Sequence, residues 1–168
     1  CMPTALYYRH DPFAPKPNQP TRFGSAVVVS CKGQILLEHR KDNFRWGVIS
    51  GDIRDTESFL DCAIRRTIEE TGIHLKTNHV HVLQLFDDPS RIVSFLDGNI
   101  YRVVHMAYNS QIDAFPDTKV SKHSIELKWV DPMELEDYDI VVTHQEILEQ
   151  YFIKYNIPNT LKKSIREQ

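Results

Sequence analysis

The side chains best placed to do chemistry lie in one segment, residues 51–73, which reads GDIRDTESFLDCAIRRTIEETGI. If its second half is helical, Arg66, Glu69 and Glu70 project from one side, because residues three and four apart share a helix face. Glu57 stands just before this helix and can reach the same region. Several carboxylates beside free backbone carbonyls suit a hard divalent cation, which neutralises diphosphate charge and activates water. The alternative is a solvated helix face decorated with ion pairs.

A helix over residues 59–71 must position these carboxylates. Ser58, with Asp61 three residues later, predicts its N-terminal cap, and Gly72 predicts its end. Apolar and threonine residues at helical spacing are expected to be buried, namely Leu60, Ile64, Thr67, Ile68 and Thr71. The charged residues expected on the other side are Arg65, Arg66, Glu69 and Glu70.

The remaining pattern predicts strands on both sides of this helix and a second helix near the end. Short β-branched runs bounded by glycine or polar residues predict strands. The predicted strands cover residues 26–30, 34–39, 46–53, 80–86, 100–108 and 126–130. Asp131 and Pro132 predict a short helix. Thr143 and Glu146 predict a capping box for a last helix that ends near Asn156.

The composition fits one domain with a single core. The chain has 168 residues, of which 41% are hydrophobic and 26% charged, the proportions of a soluble globular protein. Five of the nine prolines fall within residues 3–20. We therefore expect an extended, irregular arm over residues 1–24, a domain over residues 25–155 and a C-terminal tail over residues 156–168.

Charge and hydropathy exclude several classes of partner. The formal net charge is -3, with no cationic face that could compete for duplex phosphate, so nucleic acid polymers are not expected partners. The longest aliphatic run, residues 26–29, is too short for a membrane span or a signal peptide. We expect no membrane association and a cytoplasmic location. The three widely spaced cysteines predict neither a disulfide framework nor a zinc site.

Residues 51–73 resemble the signature of the Nudix hydrolases (MutT-like proteins), G x5 E x7 R E U x E E x G U, where U is a bulky aliphatic residue. Seven of its nine specified positions match, namely Gly51, Glu57, Arg65, Glu69, Glu70, Gly72 and Ile73. The resemblance extends from Ser25 to Phe152 and implies an α/β fold, a Nudix-type α/β/α sandwich around a mixed β-sheet. Members of this family cleave a nucleoside diphosphate linked to a further group X, with water attacking a phosphorus of the pyrophosphate.

The resemblance also implies roles for individual residues. It implies an Mg²⁺ or Mn²⁺ ion held by Glu57, Glu69, Glu70 and a backbone carbonyl at Ser50 or Gly51. It implies a catalytic set of Glu57, Arg65, Glu69, Glu70 and Glu126. Within that set Arg65 would fix the carboxylates by ion pairing. The base would come from a loop near the later strand, from Glu126 or His123, each of which is otherwise an ordinary exposed polar residue.

Two positions depart from the signature. Arg66 stands where the family has a glutamate that is commonly a principal metal ligand or the base, and Thr67 stands at an aliphatic position. A guanidinium at this place repels a divalent cation unless it turns away, and it can instead pair with Glu69 and Glu70 in place of the metal.

The first hypothesis is a divalent-metal-dependent diphosphatase acting on a small nucleotide derivative. The second is a Nudix-fold module that binds such a ligand with weakened catalysis. The third is a partner-binding scaffold whose glutamates are only a surface face.

The sequence gives weaker evidence about the substrate than about the family. Pro89 follows Ile73 by sixteen residues, a spacing similar to that in family branches that take ADP-ribose or related nucleotide sugars. Phe86 could stack on a base, and Arg91 and Arg102 could bind phosphate. The alternative interpretation is an ordinary turn, a core aromatic residue and solvated charges. The resemblance is also compatible with a homodimer, to which the aromatic N-terminal arm could contribute.

Overall fold

A computed structural model of the protein describes residues 2–164, in which a mixed β-sheet lies between two helices. In chain order the strands are β1 Ala5–Tyr8, β2 Arg22–Cys31, β3 Gln34–Arg40, β4 Trp46–Gly47, β5 Ile49–Asp52, β6 Val80–Phe86, β7 Ile92–Phe95, β8 Ile100–Ile112 and β9 Ser124–Val130. The helices are α1 Phe59–Thr71 and α2 Val142–Tyr155, and two 3₁₀ turns span Thr77–His79 and Pro132–Asp137. No helix within these residues is both long and apolar enough to cross a membrane.

Strand β2 forms the centre of the sheet. It runs parallel to β8, from Arg22 opposite Val103 to Cys31 opposite Ile112, and antiparallel to β3 and β5. Strand β9 extends the sheet beyond β3, both β6 and β7 pair with β8, and β1 pairs with β7. One long parallel pair among antiparallel pairs makes the sheet mixed, as predicted.

Both faces of β2 are buried. Successive side chains of a strand point to opposite faces. Val28 therefore packs on the α2 side with Ile147, and Val27 packs on the α1 side with Ala63. Burial on both faces explains why this strand reads as an uninterrupted apolar run. The predicted α/β/α sandwich is confirmed.

Helix α1 has the predicted bounds and caps. The Ser58 hydroxyl accepts from the Asp61 N–H and the Asp61 carboxylate accepts from the Ser58 N–H, while Gly72 ends the helix at φ 78°. Its buried residues are Cys62, Ala63, Thr67, Glu70 and Thr71. The expected face was wrong at Glu70, which is 1% exposed, because α1 turns this carboxylate inward against Ser121 and Arg66. It was also wrong at Leu60, Ile64 and Ile68, which are half-buried.

Three further expectations need correction, and one strand was not predicted. The arm is not irregular throughout, since β1 pairs with β7 and β2 already begins at Arg22. The strand expected over residues 46–53 is divided into β4 and β5, and β7 was not predicted. Helix α2 begins after Val141 without a side-chain cap, because the Glu146 carboxylate binds Arg9 and Arg91 instead. Residues 165–168 of the predicted tail lie outside the described residues.

Candidate functional site

A cleft of about 830 Å³ opens beside α1 and β5. Among the described residues its lining holds seven Lys or Arg side chains and four Asp or Glu side chains. The basic residues are Arg22, Arg40, Lys41, Arg54, Arg65, Arg66 and Lys122, and the acidic residues are Glu38, Asp42, Asp52 and Glu70. An excess of guanidinium groups in a concave site favours a small anion such as a diphosphate, which arginine binds through paired hydrogen bonds.

The Arg66 guanidinium lies between the two acidic residues that end the signature. Its Nη1 donates to Glu69 Oε1 at 2.8 Å, and its Nη2 donates to Glu70 Oε1 at 2.6 Å. Nε and Nη2 also point to the Ser50 carbonyl oxygen, at 3.4 and 3.3 Å. Arg66 therefore binds the two carboxylates and the carbonyl that the resemblance assigns to a metal ion.

Gly51 makes this position of Arg66 possible. A Cβ atom placed on Gly51 would lie 1.8 Å from Arg66 Nε and 2.5 Å from its Cδ. Contacts this short between non-bonded atoms do not occur, so any side chain at position 51 would displace the guanidinium. Gly51, which matches the signature, thus leaves the space that Arg66, which departs from it, occupies.

Glu70 is paired with a second buried carboxyl group, Glu38 on β3. Burial and the neighbouring Glu70 raise the pKa of Glu38 to about 8, so it keeps its proton at neutral pH. Burial disfavours the charged form of Glu70, but hydrogen bonds from Glu38 and Ser121 and the charge of Arg66 outweigh it and lower the Glu70 pKa. Ser121 Oγ donates to Glu70 Oε2 at 2.7 Å, and Ser124 Oγ donates to Glu38 Oε2 at 2.5 Å.

The Glu57 carboxylate binds Arg65, not the group of side chains around Glu70. Arg65 donates from Nε and Nη2 to the two oxygens of Glu57 at 2.8 and 2.5 Å, and from Nη1 to Glu69 Oε1 at 2.8 Å. Its Nη2 also donates to the Asp52 carbonyl oxygen at 2.9 Å. The hydrogen bonds from Arg65 lower the pKa of Glu57 to about 2. Arg65 therefore performs the ion pairing that the resemblance implies.

The donor set does not fit a divalent cation in this arrangement. Within residues 2–164 no group of three or more His, Cys, Asp or Glu side chains is arranged to hold a metal ion. Glu69, Glu70 and the Ser50 carbonyl are occupied by Arg66, and both oxygens of Glu57 accept from Arg65. Of the predicted ligands, Glu69, Glu70 and Gly51 lie around the Arg66 guanidinium, whereas Glu57 binds Arg65.

The residues predicted to contact substrate lie elsewhere. None of Phe86, Arg91 and Arg102 lines the cleft. Phe86 is 4% exposed in the core on the α2 side, and Arg102 donates to the Asp87 carbonyl oxygen. Arg91 is completely buried because its guanidinium binds Glu146 at 2.6 Å, together with two backbone carbonyls.

The two candidate bases are separated. His123 lines the cleft, whereas Glu126 does not. The Glu126 side chain is half exposed and lies 3.9 Å from His39 Nδ1. The loop residue His123 is therefore the better placed of the two.

Several residues of the cleft were missed by the sequence analysis. Arg40 donates to both oxygens of Asp42, at 3.0 and 2.9 Å, and to the Tyr7 hydroxyl oxygen at 2.7 Å, which joins β1 to the cleft. Glu38 could have been noticed as a single carboxylate inside the apolar β3, which reads QILLEHR. No sequence signal marked His105 and His144, which also line the cleft.

A family model described as "NUDIX domain" matches residues 20–151. No curated protein sequence matches the chain. Among solved structures, a MutT/nudix family protein from Enterococcus faecalis is 19% identical with a TM-score of 0.67, covering 85% of this chain and 64% of that one. A bifunctional NMN adenylyltransferase/ADP ribose pyrophosphatase from Francisella tularensis, complexed with AMP and a Mn ion, is 18% identical with a TM-score of 0.66. The match covers 86% of this chain and 43% of that one.

The NUDIX domain of Shewanella oneidensis NrtR, complexed with ADP ribose, is 18% identical with a TM-score of 0.65. Here the match covers 87% of this chain and 94% of that one. The chain thus spans less than two thirds of the length of the first two structures. At these identities the likeness to solved structures establishes the fold.

Proposed function

The chain belongs to the Nudix family, and from this premise we propose that its cleft binds a nucleoside diphosphate linked to a further group, in the manner of ADP-ribose, and hydrolyses it weakly or not at all. The excess of Lys and Arg in the cleft supports an anionic ligand of this size. Two structurally similar proteins are described as an ADP ribose pyrophosphatase and as a domain complexed with ADP ribose, which supports the choice of nucleotide.

The position of Arg66 carries this proposal. It supplies a fixed positive charge between Glu69 and Glu70, where a catalytic cation would otherwise lie. A guanidinium has five N–H donors and binds phosphate oxygens well. It cannot lower the pKa of a bound water as a divalent cation does. Arg66 therefore favours holding the ligand over activating a nucleophile.

One N–H of Arg66 is left for the ligand. Within the described residues, Nε and both hydrogens of Nη2 point to the Ser50 carbonyl and Glu70, and one hydrogen of Nη1 is donated to Glu69. The second Nη1 hydrogen is available to a phosphate oxygen, and the side chain keeps 18% of its surface exposed. Arg66 can thus bind a diphosphate without breaking its own ion pairs.

Hydrolysis is the second candidate function, and the geometry of Arg65 favours it. Arg65 still links Glu57 to Glu69, as the signature requires, and His123 lies in the cleft as a possible proton acceptor. In this candidate Arg66 would have to turn away, and Glu69, Glu70 and the Ser50 carbonyl would then hold Mg²⁺ or Mn²⁺, which would supply the activation of water. The two candidates make opposite predictions about the dependence of activity on Arg66.

The test combines calorimetry with an assay of AMP release. ADP-ribose and other nucleoside diphosphate compounds are offered with Mg²⁺ or Mn²⁺ to the parent protein, Arg66→Glu and Glu70→Gln. We expect the parent to bind ADP-ribose without releasing AMP at a useful rate, and Arg66→Glu to gain activity. Efficient release by the parent that is lost in Glu70→Gln would establish the second candidate. Absence of binding to every nucleotide would contradict both.

The cellular location and the oligomeric state stay predictions of the sequence. We propose a cytoplasmic protein that forms a homodimer, as the family resemblance implies. Size-exclusion chromatography with light scattering decides between monomer and dimer.

A further inference from the structure

Two buried histidines form part of the cleft wall away from α1. His105 lies on β8 and is 7% exposed, and His144 lies on α2 and is 1% exposed, yet both line the cleft. Their rings meet edge to face with centroids 6.1 Å apart. Neither histidine belongs to the signature segment, and neither is explained by the contacts of Arg66. Their buried position next to a ligand-sized space calls for a role.

The partners of each ring fix the position of its proton. Arg91 Nη2 lies 2.8 Å from His105 Nδ1, and the Val48 N–H lies 3.1 Å from His144 Nδ1. A guanidinium and a backbone N–H can only donate, so both Nδ1 atoms accept. In a neutral imidazole the proton must then sit on Nε2. Among residues 2–164, no hydrogen bond to either Nε2 is formed.

Both rings stay neutral. Burial lowers the pKa of His105 well below its usual range, and the positive charges of Arg91 and Arg40 lower it further. Burial and the charge of Arg40 do the same for His144. The residues that line the cleft therefore include two uncharged imidazoles, each held at Nδ1 by a donor.

The cleft that holds this pair also has apolar side chains in its lining, namely Val93, Phe95 and Val103. Val103 lies two residues before His105 on β8 and so points to the same face of the sheet. The charges of Arg40 and Arg91 act on both rings. Phosphate oxygens bind best to charged donors, which the arginines supply. A neutral donor on a partly apolar wall suits an uncharged oxygen, because a hydroxyl loses less hydration than an anion when it is buried there. The wall is thus complementary to a different part of the ligand from the diphosphate.

We propose that His105 and His144 donate hydrogen bonds from Nε2 to uncharged oxygen atoms, such as sugar hydroxyls, of the group linked to the diphosphate. This inference rests on the proposed function and adds the recognition of the second group. It makes the protein selective for a diphosphate that carries a hydroxyl-bearing group over ADP itself.

The test compares ADP with ADP-ribose by calorimetry for His105→Asn and His144→Asn. Asparagine places its amide oxygen near the position of Nδ1, so Arg91 and the Val48 N–H keep an acceptor while the Nε2 donor is lost. We expect each substitution to reduce the ratio of ADP-ribose affinity to ADP affinity by about 2- to 10-fold. His81→Asn, at an exposed position on β6, is the matched control and should leave this ratio unchanged.

A measurement on the unsubstituted protein tests the same inference even if the variants fail to fold. Nitrogen-15 NMR of the histidine rings should show His105 and His144 with the proton on Nε2, and ADP-ribose but not ADP should shift these two Nε2 resonances. A proton on Nδ1, or an unchanged affinity ratio in both variants while ADP-ribose still binds, would overturn this inference and leave the proposed function standing. If neither nucleotide binds the parent protein, both fail together.

Discussion

Replacing Arg66 by glutamate removes the cation that joins Glu69, Glu70 and the Ser50 carbonyl, and it completes the acidic set of the Nudix signature. The Glu70 side chain is 1% exposed, so without Arg66 a buried carboxylate loses its charged partner and keeps only the hydrogen bonds from Ser121 and Glu38, at a cost of about 3–5 kcal/mol. Glu69 is 37% exposed and keeps Arg65, so its lost pair adds at most about 1 kcal/mol. The new carboxylate adds repulsion to these losses.

The expected result is a large loss of stability that a divalent cation reverses in part. For a domain of this size about 1 kcal/mol shifts the unfolding midpoint by about 2–4 °C, so in EDTA the variant should melt about 6–20 °C below the parent. Three carboxylates and a carbonyl then suit Mg²⁺ or Mn²⁺. A cation at about 100 times its dissociation constant returns about 2.7 kcal/mol. The parent should gain little, because Arg66 already occupies the position.

Thermal unfolding with EDTA, Mg²⁺ and Mn²⁺ measures these effects, and Arg54→Glu is the matched control. Arg54 also pairs with Glu69, at 3.5 Å, but its side chain is 64% exposed, so its replacement should cost less than about 1 kcal/mol. The reasoning is refuted if Arg66→Glu melts as the parent does in EDTA. It is equally refuted if metal stabilises the parent as much as the variant.

Three further predictions concern the surroundings of Arg66. Ser121→Ala removes a donor to buried Glu70 and should lower the free energy of unfolding by about 1–3 kcal/mol, measured in urea. The folded state keeps a proton on Glu38 that the unfolded chain releases, so stability should fall as pH rises from 4.5 to about 8. Glu38→Gln should flatten that slope in denaturation curves across the same pH range, and an unchanged slope would assign it to other groups. Raising the NaCl concentration should weaken ADP binding measured by calorimetry, because charged donors dominate the cleft; a salt-independent affinity would mean that they do not contact the phosphates.

Local signals determined helix α1 and its caps from the sequence. Ser58, Asp61 and Gly72 act on neighbouring backbone groups, so their effect is visible without any tertiary contact. The family resemblance implied that Arg65 pairs with the carboxylates, and the structure shows it paired with Glu57 and with Glu69, which lies four residues on along the same helix face. Strands β1 and β7 were missed because each is only four residues long and forms by pairing with a strand elsewhere in the chain, β1 with β7 and β7 also with β8.

Tertiary contacts decided what the acidic segment can do. From the sequence, Arg66 could either turn away from Glu69 and Glu70 or pair with them. The structure shows it paired, because β5 brings the Ser50 carbonyl to its guanidinium and Gly51 leaves space for it. Glu70 is buried against Arg66 on its own helix and against Ser121, which lies far along the chain. Arg91 has the sequence context of an exposed phosphate ligand, but the folding of α2 against β8 surrounds it with partners. Spacing along a chain determines local hydrogen bonds and helix faces, whereas the identity of a buried partner depends on which distant segment the sheet places beside it.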